Sequence, residues 1–190
     1  MKPLVWIFGI VLMISCRKND DLWINPPMKY RDLNNQVVGE NGRLVLDLNE
    51  DGKNDFRFSE WEYASNAENA MVQEFYVFTY EDSYTLTSWN EFSQALNRDQ
   101  VIAVQAPVNF EWANVSQTNF AKQIRPTGGP NTWLGPWKDV QHKFLPVQIT
   151  IAGERHNGWI EISMDTGRKE LTLHRAAWSE KSDEAVLAGR

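Results

Sequence analysis

From residue 43 to residue 174 apolar side chains recur at every second position in short runs, and this period constrains the fold more than any other feature. Leu44, Leu46 and Leu48 alternate with Arg43, Val45 and Asp47, and Phe56 and Phe58 with Arg57 and Ser59. Phe75, Val77 and Thr79 stand opposite Glu74, Tyr76, Phe78 and Tyr80, and Tyr84-Thr85-Leu86-Thr87 follows. Val147, Ile149 and Ile151 alternate with Gln148 and Thr150, Ile160, Ile162 and Met164 with Glu161 and Ser163, and Leu171 and Leu173 with Thr172 and His174. Successive side chains of a strand point to opposite faces, so each run predicts a strand with one buried face. Asp165-Thr166-Gly167 predicts a hairpin turn between the last two. One segment departs from the period. Over residues 89–96, Ser88 as cap, Glu91 completing a capping box and Phe92 four before Leu96 predict a short helix. Residues 125–137, with Pro126, Gly128-Gly129-Pro130 and Gly135-Pro136, predict an irregular loop. The expected fold is all-β, a β-sandwich or jelly-roll-like domain with one or two short helices.

The amino end carries a different signal. Lys2 precedes an uncharged stretch, residues 3–14, too short for the roughly 30 Å of hydrocarbon that about 20 residues would cross, but suited to a signal peptide. Cys16 is the only cysteine, and the chain turns polar directly after it (Arg17-Lys18-Asn19-Asp20-Asp21). Met13-Ile14-Ser15-Cys16 resembles the lipobox of bacterial lipoproteins, with Met13 standing where Leu is usual. The resemblance implies cleavage before Cys16, acylation of its thiol, and a lipid anchor in a membrane. The polar stretch also resembles a surface-export signal of some Gram-negative lipoproteins. The implied organisation is a signal peptide over 1–15, lipidated Cys16 and a tether over 16–36, and a β-sandwich-like domain over 37–190, placed in the cell envelope at the outer membrane or cell surface.

Composition narrows the partners. Removing residues 1–15 leaves 175 residues with 18 basic and 25 acidic side chains, a net charge of −7. That length suits one domain. An acidic chain without basic clusters argues against nucleic acid and against electrostatic attachment to anionic lipid. With Cys16 acylated no thiol remains for a disulfide or a zinc-thiolate site. His142, His156 and His174 show no metal-ligand spacing.

The strongest internal motif is Asp47-Leu48-Asn49-Glu50-Asp51-Gly52-Lys53-Asn54-Asp55. Oxygen side chains at the first, third, fifth and ninth places, with glycine sixth, match the first nine positions of an EF-hand loop. Calcium takes six to eight oxygens at about 2.3–2.6 Å, which a tight turn with alternating inward residues supplies. Asp47, Asn49, Asp51 and Asp55 would ligate through side chains and Lys53 through its carbonyl. Phe58 occupies the twelfth place, where an EF-hand has glutamate. With period-two runs on both sides, the motif resembles the DxNxDG calcium loops of dockerins and of integrin-type and thrombospondin-type repeats. The resemblance implies a structural calcium ion. The competing expectation is a polar turn closed by Asx-type hydrogen bonds.

Toward the carboxy terminus, His156-Asn157-Gly158-Trp159-Ile160-Glu161-Ile162 precedes Leu171-Thr172-Leu173-His174-Arg175-Ala176-Ala177-Trp178 and Val186-Leu187-Ala188-Gly189. With Phe92, Ala95-Leu96 and Gln100-Val101-Ile102 upstream, this resembles the closing pattern of a group of exported bacterial β-domains of uncharacterised function. The resemblance implies a sandwich-like domain, commonly lipid-anchored or secreted, and transfers no catalytic residue. Gly158 suggests a strand start where backbone passes closely under an indole.

Nine tryptophans are many for 190 residues. Aromatic faces stack on sugar rings, and Trp133 and Trp137, on the Gly/Pro-rich segment near Asn131 and Asp139, form the candidate platform; burial in the core is the alternative. No Gly-x-Ser-x-Gly elbow and no phosphate loop is present. The expectation is a binding or accessory module for a carbohydrate or protein ligand, with no catalytic residue assigned. A carbohydrate-active hydrolase and a structural subunit of an envelope assembly are the alternatives.

Overall fold

The structure, a computed structural model, describes residues 25–190, so the apolar run, Cys16 and most of the tether lie outside the described residues. Within them the chain forms thirteen strands and no helix: β1 (Met28–Val38), β2 (Arg43–Leu46), β3 (Phe56–Ser65), β4 (Ala70–Thr79), β5 (Ser83–Ser88), β6 (Val101–Ile102), β7 (Phe110–Ala113), β8 (Gln117–Pro126), β9 (Thr132–Leu134), β10 (Val140–Ile151), β11 (Glu154–Asp165), β12 (Glu170–Ser179) and β13 (Val186–Leu187). One sheet runs β1-β12-β11-β10-β5-β7, the other β2-β3-β4-β8-β9, and β13 pairs with β6 as a ribbon. All pairings between these strands are antiparallel.

The period-two residues build the core. Leu46, Phe56, Phe58, Phe75 and Val77 from one sheet meet Leu145, Val147, Ile149, Ile160, Ile162, Leu171 and Leu173 from the other. This is the expected all-β, sandwich-like arrangement. A second cluster lies on the outer face of the six-stranded sheet, where Phe144, Trp159 and Ala177 are covered by Leu96, Ile102, Val186 and Ala188. The β6–β13 ribbon and Leu96 therefore roof one part of that face and leave the part around His142, Glu161 and Arg175 open.

Three expectations change. Residues 89–96 are a turn, not a helix. Glu91 adopts φ 64, its carbonyl accepts the Asn119 N–H at 2.8 Å, and Leu96 exchanges backbone hydrogen bonds with Phe144. Neighbouring strands take the polar groups a helix would have used internally, and tertiary pairing overrides local propensity. The body also begins before residue 37. Edge strand β1 buries only Leu33 and Val38, so it shows no alternation, and Asn25 Oδ1 accepts the Leu187 N–H at 2.7 Å. Gly158 lies inside β11 rather than at a strand start. A Cβ there would stand 2.4 Å from the Ala177 carbonyl oxygen and 3.1 Å from Trp178 Cα, so the close approach is to β12 backbone. The 166–169 connection between β11 and β12 is the hairpin turn expected, with the Arg168 N–H bonded to Asp165 Oδ1 at 2.9 Å.

Candidate functional site

On the open part of the six-stranded sheet, three neighbouring pairings are broken at one level. Between β1 and β12, Asp32 faces Arg175 and Gln36 faces Leu173, so Leu33, Asn34 and Asn35 oppose His174 alone. Between β12 and β11, Arg175 faces Glu161 and Leu173 faces Ile162, leaving His174 as the extra residue. Between β10 and β11, Val140 faces Met164 and Lys143 faces Ile162, so Gln141 and His142 share Ser163. Bulges re-aim side chains and gather beside functional sites. Asn34, Asn35 and His142 adopt φ of 55, 53 and 51, which for histidine costs backbone energy that the surroundings must hold.

The re-aimed groups meet. The His142 and His174 rings stack with centroids 4.4 Å apart. His142 Nδ1–H donates to Glu161 Oε1 at 2.8 Å, and Arg175 Nε–H donates to Glu161 Oε2. Burial alone would push the Glu161 carboxyl up. The hydrogen bonds from Arg175 and His142, with their charges, outweigh it and hold the group below the ordinary glutamate range. His174 titrates below the ordinary histidine range because burial, then the charge of His142, disfavours its cation. Its neutral ring donates from Nδ1 to Asn35 Oδ1 at 2.6 Å and accepts the Ser163 hydroxyl at Nε2 at 2.8 Å. Ser163 Oγ in turn accepts the His142 backbone N–H at 2.9 Å.

Ser163, His174 and Asn35 thus have the connectivity of a nucleophile, base and orienting amide. Ser163 is, however, buried beneath the imidazole pair and holds the bulges together. The recess above, about 470 Å³, is walled by Tyr30, Asp32, His142 and Arg175. Arg175 lies over the Trp159 ring at 5.3 Å, and Tyr30 packs edge-on against the same indole at 6.3 Å. Arg175 spends only Nε on Glu161. Its terminal amines and His142 Nε2 have no hydrogen-bond partner among the described residues.

The residues expected from sequence lie elsewhere. The 47–55 loop joins β2 to β3 and is closed by Asx-type bonds: Asp47 Oδ2 accepts the Gly52 N–H at 2.8 Å, Asp51 Oδ1 the Lys53 N–H at 2.9 Å, and Asn49 Oδ1 the Asp51 N–H at 3.3 Å. Gly52 adopts φ 88, which glycine alone tolerates freely. Asp55 is buried and accepts the Leu48 N–H at 2.6 Å. Desolvation, then the charges of Asp47 and Asp51, raise its carboxyl to about 6. Among the described residues no three acidic, histidine or cysteine side chains converge to chelate an ion as they stand. The donor set of hard oxygens on a curled, glycine-turned loop nonetheless fits calcium chemistry.

Trp133 and Trp137 form no open platform. Trp137 is fully buried, bonded through Nε1 to Ser93 Oγ at 2.8 Å and edge-on to Phe120 at 5.2 Å. Trp133 is half-buried against Phe75, and Asp139 is occupied by the Thr166 N–H. Within 125–137 only the end of β8 and the short β9 are strand; Trp133 lies on β9 and Trp137 in the turn after it, and both indoles turn toward the core as the apolar burial rule favours. Tyr30, His142, Glu161, His174 and Arg175 escaped sequence reasoning, since bulges leave no spacing signature; the Asn34-Asn35 pair within a strand is the one local trace. Compared with protein-family models, with curated proteins and with solved structures, the chain finds no match.

Proposed function

We propose that this chain is a lipid-anchored protein of the cell envelope that binds carbohydrate without turning it over, and that the three-bulge recess is its binding site. The observation that carries this reading is the meeting of three bulges, which holds unspent polar groups at the rim of one pocket of sugar-ring dimensions. Arg175 and His142 offer donors and Asp32 an acceptor, while Tyr30 and the stacked imidazoles offer faces for a ring's C–H groups. Arg175 and Glu161 cancel in charge, which favours hydroxyl-rich, neutral ligands. A glycosidase needs a carboxylic acid kept protonated. Glu161, held ionised, is unsuited to that role.

The test is a glycan array on the full chain in detergent, repeated with Tyr30→Ala and His142→Ala. Binding weakened tenfold or more by each change is expected. Absence of any sugar ligand, or binding indifferent to both changes, would overturn the reading. Release of reducing ends from a bound oligosaccharide would replace it with a hydrolase.

Calcium at the 47–55 loop belongs to the same reading, as a structural ion. Asp47, Asn49, Asp51 and Asp55 would hold it, with Lys53 contributing its carbonyl. The bound ion would neutralise carboxylates that now crowd one another. Anchoring through Cys16 rests on the lipobox resemblance and places the recess at a membrane surface.

A further inference from the structure

We infer that the outer face of the five-stranded sheet carries a second, separate site for a uronic-acid-bearing glycan, built from Arg43, Arg57 and Trp61. The register sets these residues on one surface. Arg43 faces Ser59, which faces Tyr76, while Arg57 and Trp61 lie two places to either side of Ser59 on β3. All therefore project from the face opposite Phe56, Phe58 and Val77. They line an open groove of about 400 Å³ that Asn41 and Glu60 complete.

Charge defines the occupant. The chain carries more acid than base, and half of its described lysines and arginines sit within 4.0 Å of a carboxylate. Arg43 and Arg57 have no such partner among the described residues. Glu60 forms no ion pair with either of them; its two oxygens are turned to the Asn41 N–H and to the Gln73 amide at 2.8 Å. The Arg57 guanidinium is fixed over the Phe78 ring at 4.7 Å, and its Nε is buried without a hydrogen-bond partner. Two guanidinium groups without an ion-pair partner, one of them held over a ring, suit a planar carboxylate, which arginine grips through two parallel bonds.

The aromatic part defines the rest of the ligand. Trp61 is 54% exposed, an unusual exposure for an indole, and its ring lies 5.0 Å from that of Tyr63. Four residues separate Arg57 from Trp61 along one strand, roughly 13 Å. A carboxylate at the arginines and a pyranose ring on the indole therefore belong to different units of one oligosaccharide. A free carboxylate or phosphate would use only the arginine end.

The experiment is titration calorimetry on the full chain in detergent with tetragalacturonate, and with the neutral galactose tetramer of the same linkage. The acidic tetramer is expected to bind at least tenfold more tightly, with affinity falling as salt rises. Arg43→Gln and Trp61→Ala, both at exposed positions, should each weaken it tenfold or more, while His142→Ala leaves it unchanged. Equal affinity for the neutral tetramer, no binding of the acidic one, or binding indifferent to Arg43→Gln and Trp61→Ala would overturn the inference. So would a sulfated tetramer or inorganic phosphate that needs Arg43 where the uronate does not bind. Loss through His142→Ala alone would assign the uronate to the other sheet's recess and leave that reading standing.

Discussion

Asp55 shows how much one carboxyl can be asked to bear. It is buried, and its pKa is raised to about 6 by desolvation, with Asp47 and Asp51 adding repulsion. A group that binds its proton more tightly folded than unfolded stabilises the fold fully below its unfolded pKa, near 4. That contribution is lost as pH rises through about 6. In EDTA, urea unfolding should therefore give a stability that declines from pH 4 to pH 7 relative to Asp55→Asn, which removes the titration. His174 acts in the opposite sense, since its depressed pKa favours the fold above the ordinary histidine range, and the comparison with Asp55→Asn cancels it. Calcium reverses the sign at Asp55, because it requires the ionised form. Added calcium should raise the melting temperature at pH 7.5 and have little effect at pH 4.5. Matching pH profiles for the two proteins would refute the assignment to Asp55, and a melting temperature unmoved by calcium at pH 7.5 would refute the metal.

Strands explain why the recess is invisible in the primary structure while the core is plain. Ile160 and Ile162 announce their face by spacing alone, because a regular strand converts sequence parity directly into side. His142 and His174 are 32 positions apart, and Asn35 is 139 from His174, yet they meet because extra residues in β1, β10 and β12 shift the pleat at one level. Parity fails at a bulge, and apart from the Asn34-Asn35 pair nothing in the local residues announces the failure. Gly158 belongs to the legible part. Its need for closeness was readable, although its partner is the backbone of β12 and not an indole. Gly158→Ala should destabilise the domain by about 1–3 kcal/mol, because the new methyl meets a carbonyl and not a side chain that can turn away. Unchanged denaturation midpoints for Gly158→Ala would show that β11 and β12 can separate freely.

The whole molecule presents two outer faces, one partly roofed by the β6–β13 ribbon and one open, on a body tied by β1 to the segment that leads back to Cys16. If Cys16 carries the anchor, Cys16→Ser should move the protein from the membrane fraction to the soluble one and remove the acyl mass seen by mass spectrometry. Membrane association retained without that mass would overturn the anchor. From the sequence alone came the sandwich, because alternation dictates which side of each strand avoids water, and, as one of two expectations for the 47–55 loop, the Asx-type bonds that close it, because they join residues two to five positions apart. Only the tertiary structure decided where chemistry gathers. It buried Trp137, turned residues 89–96 away from helix, and joined three distant bulges into one pocket, since these outcomes depend on which strands become neighbours, and that is a property of the assembled sheet.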